Sequence, residues 1–161
     1  MKVALFCGLI VFSTPVYLQS PDDPTFIDLP DFKGWSAAQL KTVFPIEVPN
    51  APDWEAGVET TINNWKGWEK IVFHFNGKGR LSSIDFFFNK LIPLQKAHKL
   101  CKTNLNVRLV AENRVSAPGL LAYRGLQGAI RTVNFLNHDD PFNWENGINN
   151  LYFKYDIAWA E

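Results

Sequence analysis

Cysteine is nearly absent: Cys7 and Cys101 are the only two thiols in 161 residues, which excludes a disulfide-stapled scaffold. Charge of one sign is missing as well. Sixteen basic residues balance sixteen acidic ones, so the chain lacks the positive field that nucleic acid or an anionic membrane surface requires. No apolar run approaches the roughly 20 residues of a spanning helix. There is no Asn-x-Ser/Thr acceptor, a lack compatible with a bacterial envelope protein. A phosphate-binding glycine loop, a G-x-S-x-G elbow and an H-E-x-x-H helix are also lacking, and no cofactor or metal is expected from motifs.

What is present begins with a leader. Lys2 precedes the apolar run 3–12 and then Ser13, Thr14 and Pro15. A run of about ten apolar residues matches the core of a signal peptide, so residues 1–20 read as an export leader and the mature protein as periplasmic or secreted. A buried N-terminal strand or helix is the bland alternative. Once the leader is cut, Cys101 is the only thiol left and no intrachain disulfide can form. Residues 21–31, rich in Pro and Asp, read as a linker into one domain, 32–161.

Six Trp, four Tyr and thirteen Phe imply an aromatic core. Ser36 and Gln39, three residues apart, form a capping box for a short helix that presents Leu40, Val43 and Phe44 to the core and stops before Pro45. Residues 45–64 read mostly as loop. From Trp65 the period becomes two, with Ile71, Phe73 and Phe75 on one face and Lys70, Val72 and His74 on the other. The turn Asn76-Gly77-Lys78-Gly79 leads into a returning strand carrying Ile84, Phe86 and Phe88 on one face. A second helix over 91–102 repeats Leu94, Ala97 and Cys101, and runs at 107–111, 119–123, 129–136 and 151–159 read as further strands. The class is α+β: short helices packed on an antiparallel β-sheet, with two helix-plus-strands halves as a suggested duplication.

The stretch Gly34-Trp35-Ser36-Ala37-Ala38-Gln39-Leu40, the strand ending Phe73-His74-Phe75, and Gly79-Arg80-Leu81 leading to Ile84 resemble a module shared by BamE, the outer-membrane assembly lipoprotein of the SmpA/OmlA family, and the β-lactamase inhibitor proteins. The resemblance covers 34–88. It lacks a lipid-attachment cysteine and carries a Pro-rich insert after the helix. It implies an exported, non-catalytic protein that presents a sheet surface to another protein, and it transfers no functional residue.

Chemistry-bearing groups each have a plain counterpart. His98 and Cys101 lie three apart on one helix, as a thiolate-imidazole pair or half a metal site would, but Leu94 shares their face and a buried free cysteine is ordinary. His138, Asp139 and Asp140 offer a His-carboxylate site, or simply turn chemistry. Glu55 and Glu59 would align on a helical turn, His74 reads as a boundary residue, and Lys96, Lys99 and Lys102 read as a solvated helix face. Trp54, Trp65, Trp68, Trp144 and Trp159 either fill the core or anchor an interface. The sequence therefore points to a non-catalytic binding protein, such as an inhibitor, immunity protein or envelope-assembly adaptor. Its partner is another protein, met through a sheet face or through Trp65, Trp68, Phe142 and Trp144. A small exported hydrolase built on His138, or a carrier whose Phe-rich hairpin encloses an apolar ligand, are the alternatives.

Overall fold

Alternating apolar and polar residues place seven strands in one antiparallel sheet. The computed structural model describes residues 24–48, 52–55, 57–114, 121–125, 130–140 and 144–155. In chain order the elements are helix α1 (Ala37–Leu40), strands β1 (Val58–Trp65), β2 (Trp68–Phe75) and β3 (Leu81–Ile92), helix α2 (Leu94–Thr103), and strands β4 (Leu109–Arg114), β5 (Leu121–Gly125), β6 (Ile130–Leu136) and β7 (Ile148–Tyr155). The strand order is β1-β2-β3-β7-β6-β5-β4. Two meanders are thus joined where the last strand of each, β3 and β7, pair with one another. The chain is α+β with an antiparallel sheet, as its patterning indicates.

One face of the sheet is the core. Ile71, Phe73 and Phe75 of β2 meet Leu81, Ile84, Phe86 and Phe88 of β3, then Leu151 and Phe153 of β7 and Val133 and Phe135 of β6, all buried. Ala37 and Leu40 of α1 and Ala97, Leu100 and Cys101 of α2 belong to the same buried cluster.

Several elements differ from their sequence reading. Strand β1 lies in the stretch read as loop. Its inner positions are Val58, Thr60 and Ile62, and the threonine disguises the alternation; Thr60 is buried because its hydroxyl donates to the Glu47 carbonyl at 2.6 Å. At its far end Lys66 (φ 47°) and Gly67 (φ 87°) make a two-residue turn into β2 with both residues left-handed. The capping box of α1 is present, but the helix is only one turn, and Val43 is 45% exposed. Leu40 and Phe44, four apart, are buried, which turns Val43 outward.

Residues 24–31, read from composition as linker, are built into the core. Ile27 and Leu29 are buried, the Ile27 N–H donates to Asn104 O at 2.7 Å, and the Tyr155 hydroxyl donates to Leu29 O at 2.7 Å. Gly79 has φ +67°, and a Cβ there would meet the Trp54 ring at 3.0 Å, so this turn needs glycine for both conformation and space. The Trp54 indole in turn packs on Phe75 at 5.5 Å between centroids.

Candidate functional site

The second face of the sheet carries the polar alternates of the same strands. Strand register lines up Glu59 on β1 with His74 on β2 and Ser83 on β3, then Lys154 on β7 and Thr132 on β6. The next row holds Thr61, Val72, Asp85, Tyr152 and Asn134, and the one after it Asn63, Lys70, Phe87, Asn150 and Leu136.

The imidazole of His74 forms the hub of this face. Its Nδ1 lies 2.8 Å from a Glu59 carboxylate oxygen and its Nε2 lies 2.7 Å from Asp85 Oδ2. The His74 side chain is 25% exposed and that of Asp85 15%, so the pair is largely screened from water. Asp85 accepts a further hydrogen bond from Asn150 Nδ2 at 3.0 Å, and Asn150 is wholly buried. Four strands are thereby tied through side chains: β1, β2, β3 and β7. The Asp85 hydrogen bond is the main cause that raises the His74 pKa above its ordinary value, with the Asp85 and Glu59 charges adding to it against the opposing effect of burial. A histidine that works as a general base needs one nitrogen free for the reacting proton. Here both nitrogens are held by carboxylates, which makes the group a cross-strand clamp.

Two aromatic side chains share this face near its middle. Phe87 of β3 and Tyr152 of β7 are both partly exposed. Because Phe87 pairs with Asn150 and Tyr152 with Asp85, the two are diagonal neighbours, about 7–8 Å apart in an antiparallel pair. Lys70 Nζ sits 3.9 Å from the Phe87 ring centroid, and His138 lies against the same ring at 5.3 Å.

The residues singled out from the sequence fall elsewhere. Trp68 is 1% exposed and packs on Phe86 and Phe88, so it is core and has no free face for a partner. Trp65 is half-buried against Phe44, with Lys66 Nζ 4.8 Å from its ring. Left-handed Asn64 (φ 50°) interrupts the alternation just before it, which accounts for an indole turned to the core side. Trp144 opens the 3-10 turn Trp144–Asn146, but its side chain lies outside the described residues, as do Phe142 and Trp159.

The loop at His138 serves turn geometry. Asn137 Oδ1 accepts the N–H groups of Asp139 and Asp140, and Asp139 Oδ2 accepts Asn149 Nδ2 at 3.0 Å. Glu59 stands on a strand and not on a helical turn with Glu55. Among the described residues no group of three or more His, Cys, Asp or Glu is arranged to hold a metal ion. Nor is any helix there long and apolar enough to cross a membrane.

Cys101 is fully buried, and burial pushes its thiol far up from the ordinary range, while His98 lies edge-on to Phe135 at 5.2 Å. A thiol reagent is therefore expected to label Cys101 slowly in the native protein and rapidly in denaturant. Fast native labelling, followed spectrophotometrically, would restore it as a nucleophile.

Comparison of the chain with protein-family models, with curated proteins and with solved structures finds no match.

Proposed function

We propose that this is an exported, non-catalytic protein-binding protein that works through the open face of its sheet, in the manner of an inhibitor, immunity protein or envelope-assembly adaptor. The observation that carries the reading is the diagonal juxtaposition of partly exposed Phe87 and Tyr152 on the neighbouring strands β3 and β7, with Lys70 against the Phe87 ring and the polar row Glu59, Lys154 and Thr132 beyond Tyr152. Protein interfaces favour that arrangement, an aromatic centre that becomes dry and a polar rim that stays wet. In this reading both short helices, whose Leu40 and Leu100 belong to the buried cluster, back the opposite face, and each leads one meander. The partner is a protein surface with an apolar centre and charges of both signs around it. The resemblance of 34–88 to the BamE and β-lactamase inhibitor module points the same way, and the leader-like composition of residues 1–20 supports export to the periplasm or outside the cell.

The carrier alternative loses its basis, because Phe73, Phe75 and Phe86 are packed in the core and the hollow beside Phe88 offers only about 40 Å³. The hydrolase alternative would need His138 or His74 to present a free ring nitrogen beside a nucleophile, and the clamp around His74 argues against it.

Affinity isolation from envelope extract tests the reading. Wild type and a control altered on the helix side, Lys41→Glu with Val43→Ser, are expected to recover the same partner. A Phe87→Ser/Tyr152→Ser variant with an unchanged amide spectrum is expected to lose it. Retention by the face variant and loss from the control would refute the proposed surface. Turnover on a hydrolase substrate panel that disappears in His138→Ala would favour the enzyme instead.

A further inference from the structure

A second region, on α2 and the start of β4, holds charge that the open face does not use. Residues 86–111 contain Lys90, Lys96, Lys99, Lys102 and Arg108 with no Asp or Glu, in a chain whose total charge is zero. The fold gathers three of them around one feature. At Asn106 (φ 51°) the chain reverses, and the Val107 N–H donates to Cys101 O at 2.8 Å, so Arg108 and Leu109 return alongside the helix. Lys99 and Lys102, three apart, share a helical face. The result is an open groove of about 710 Å³ lined by His98, Lys99, Lys102, Val107, Arg108 and Leu109.

The groove has a positive wall. Among the described residues, Lys99, Lys102 and Arg108 have no ion-pair partner. Three late carbonyls of the helix are hydrogen-bonded within the fold. Leu100 O accepts from Asn104 N at 2.9 Å, Cys101 O from Val107 N at 2.8 Å, and Lys99 O from the Thr103 hydroxyl at 2.9 Å. Three unpaired cations around one hollow repel each other until an anion enters. The guanidinium of Arg108 offers the planar fork that suits a phosphate or carboxylate. Partly exposed Leu109, seated over the buried Val107, adds apolar surface beside that head-group position. The volume falls within the roughly 300–1,000 Å³ common for small-ligand sites.

We propose that this groove binds a small amphiphile, its oxyanion head held by Lys99, Lys102 and Arg108 and its apolar body laid against Leu109. The site is separate from the open sheet face and stands whether or not that face binds a protein.

The test is an amide-shift titration of the whole protein with octyl phosphate and with octanoate, both kept below self-association. Inorganic phosphate and neutral octyl glucoside are the comparisons. Saturable shifts are expected at residues 98–109, with either octyl anion binding at least about tenfold tighter than both comparisons. The stronger of the two anions identifies a phosphate or a carboxylate head. A Lys99→Gln/Lys102→Gln/Arg108→Gln variant is expected to lose about tenfold or more in affinity. Should that variant not fold, Lys102→Gln alone is expected to lose roughly threefold, and Arg108→Lys, which keeps the charge, to retain binding. No saturable shift at these residues, unchanged affinity in the triple variant or in Lys102→Gln, or inorganic phosphate binding as well as octyl phosphate would overturn the proposal.

Discussion

Replacing Trp68 with alanine is expected to cost about 3–5 kcal/mol of stability, the range for deleting a large buried aromatic. That is a large share of the roughly 5–15 kcal/mol that holds a typical domain together. The physical basis is complete burial: the indole is 1% exposed, with Phe86 at 4.6 Å and Phe88 at 5.5 Å between ring centroids. Its Nε1 has no hydrogen-bond partner among the described residues, so packing rather than polarity makes its contribution. Urea denaturation measures the effect as a fall in midpoint with an unchanged slope. A surface tryptophan would change stability by only about 0.5 kcal/mol either way, and that small result would return Trp68 to the list of interface anchors.

The second large effect is pH-dependent stability set by His74. Its pKa is raised in the folded protein above the ordinary 6.5, chiefly by the Asp85 hydrogen bond. The folded state therefore binds the proton more tightly than the unfolded state does. Stability from the clamp is fully present below about 6.5 and is lost as pH rises through the raised value. Melting temperature is expected to fall across that window. His74→Gln, which keeps hydrogen-bonding capacity without the charge, should flatten the dependence and lower stability at pH 6. Asp85→Ala should cost about 1.5–3 kcal/mol at pH 6, because it takes the Nε2 partner from the part-buried imidazolium and leaves the buried Asn150 amide only its longer bond to Phe86 O. A wild-type melt that is level from pH 6 to pH 9 would remove the clamp from the picture.

How far the sequence could be read depended on how openly each strand alternates. The pair β2 and β3 was legible because Ile71, Phe73 and Phe75, and Ile84, Phe86 and Phe88, repeat without interruption. The consecutive run Phe86-Phe87-Phe88 already required its middle ring to face away from the core, as did Tyr152 between Leu151 and Phe153. That alternation is the sequence signal for the open face. Residue size does not reveal direction. Left-handed Asn64 turned Trp65 inward, and no residue-type preference shows such a break.

The His74 clamp was hidden for a different reason. Its partner Glu59 lies on a strand whose inner position is Thr60, a polar residue that is buried only because Glu47 O accepts its hydroxyl proton. The linker reading of 24–31 failed similarly, since three local apolar residues among prolines do not announce a dock formed by Asn104, Leu105 and Tyr155 far along the chain. Such long-range satisfaction of polar groups is a property of the tertiary fold and has no local pattern.

The open sheet face is tested most directly by placing a photocrosslinking amino acid singly at Phe87, at Tyr152 and, on the opposite side, at Lys41, then irradiating cells that make the full chain. One protein adduct of the same mass is expected from Phe87 and Tyr152, and none from Lys41. An adduct formed only from Lys41 would contradict a working face built around Phe87, Tyr152 and the His74 clamp.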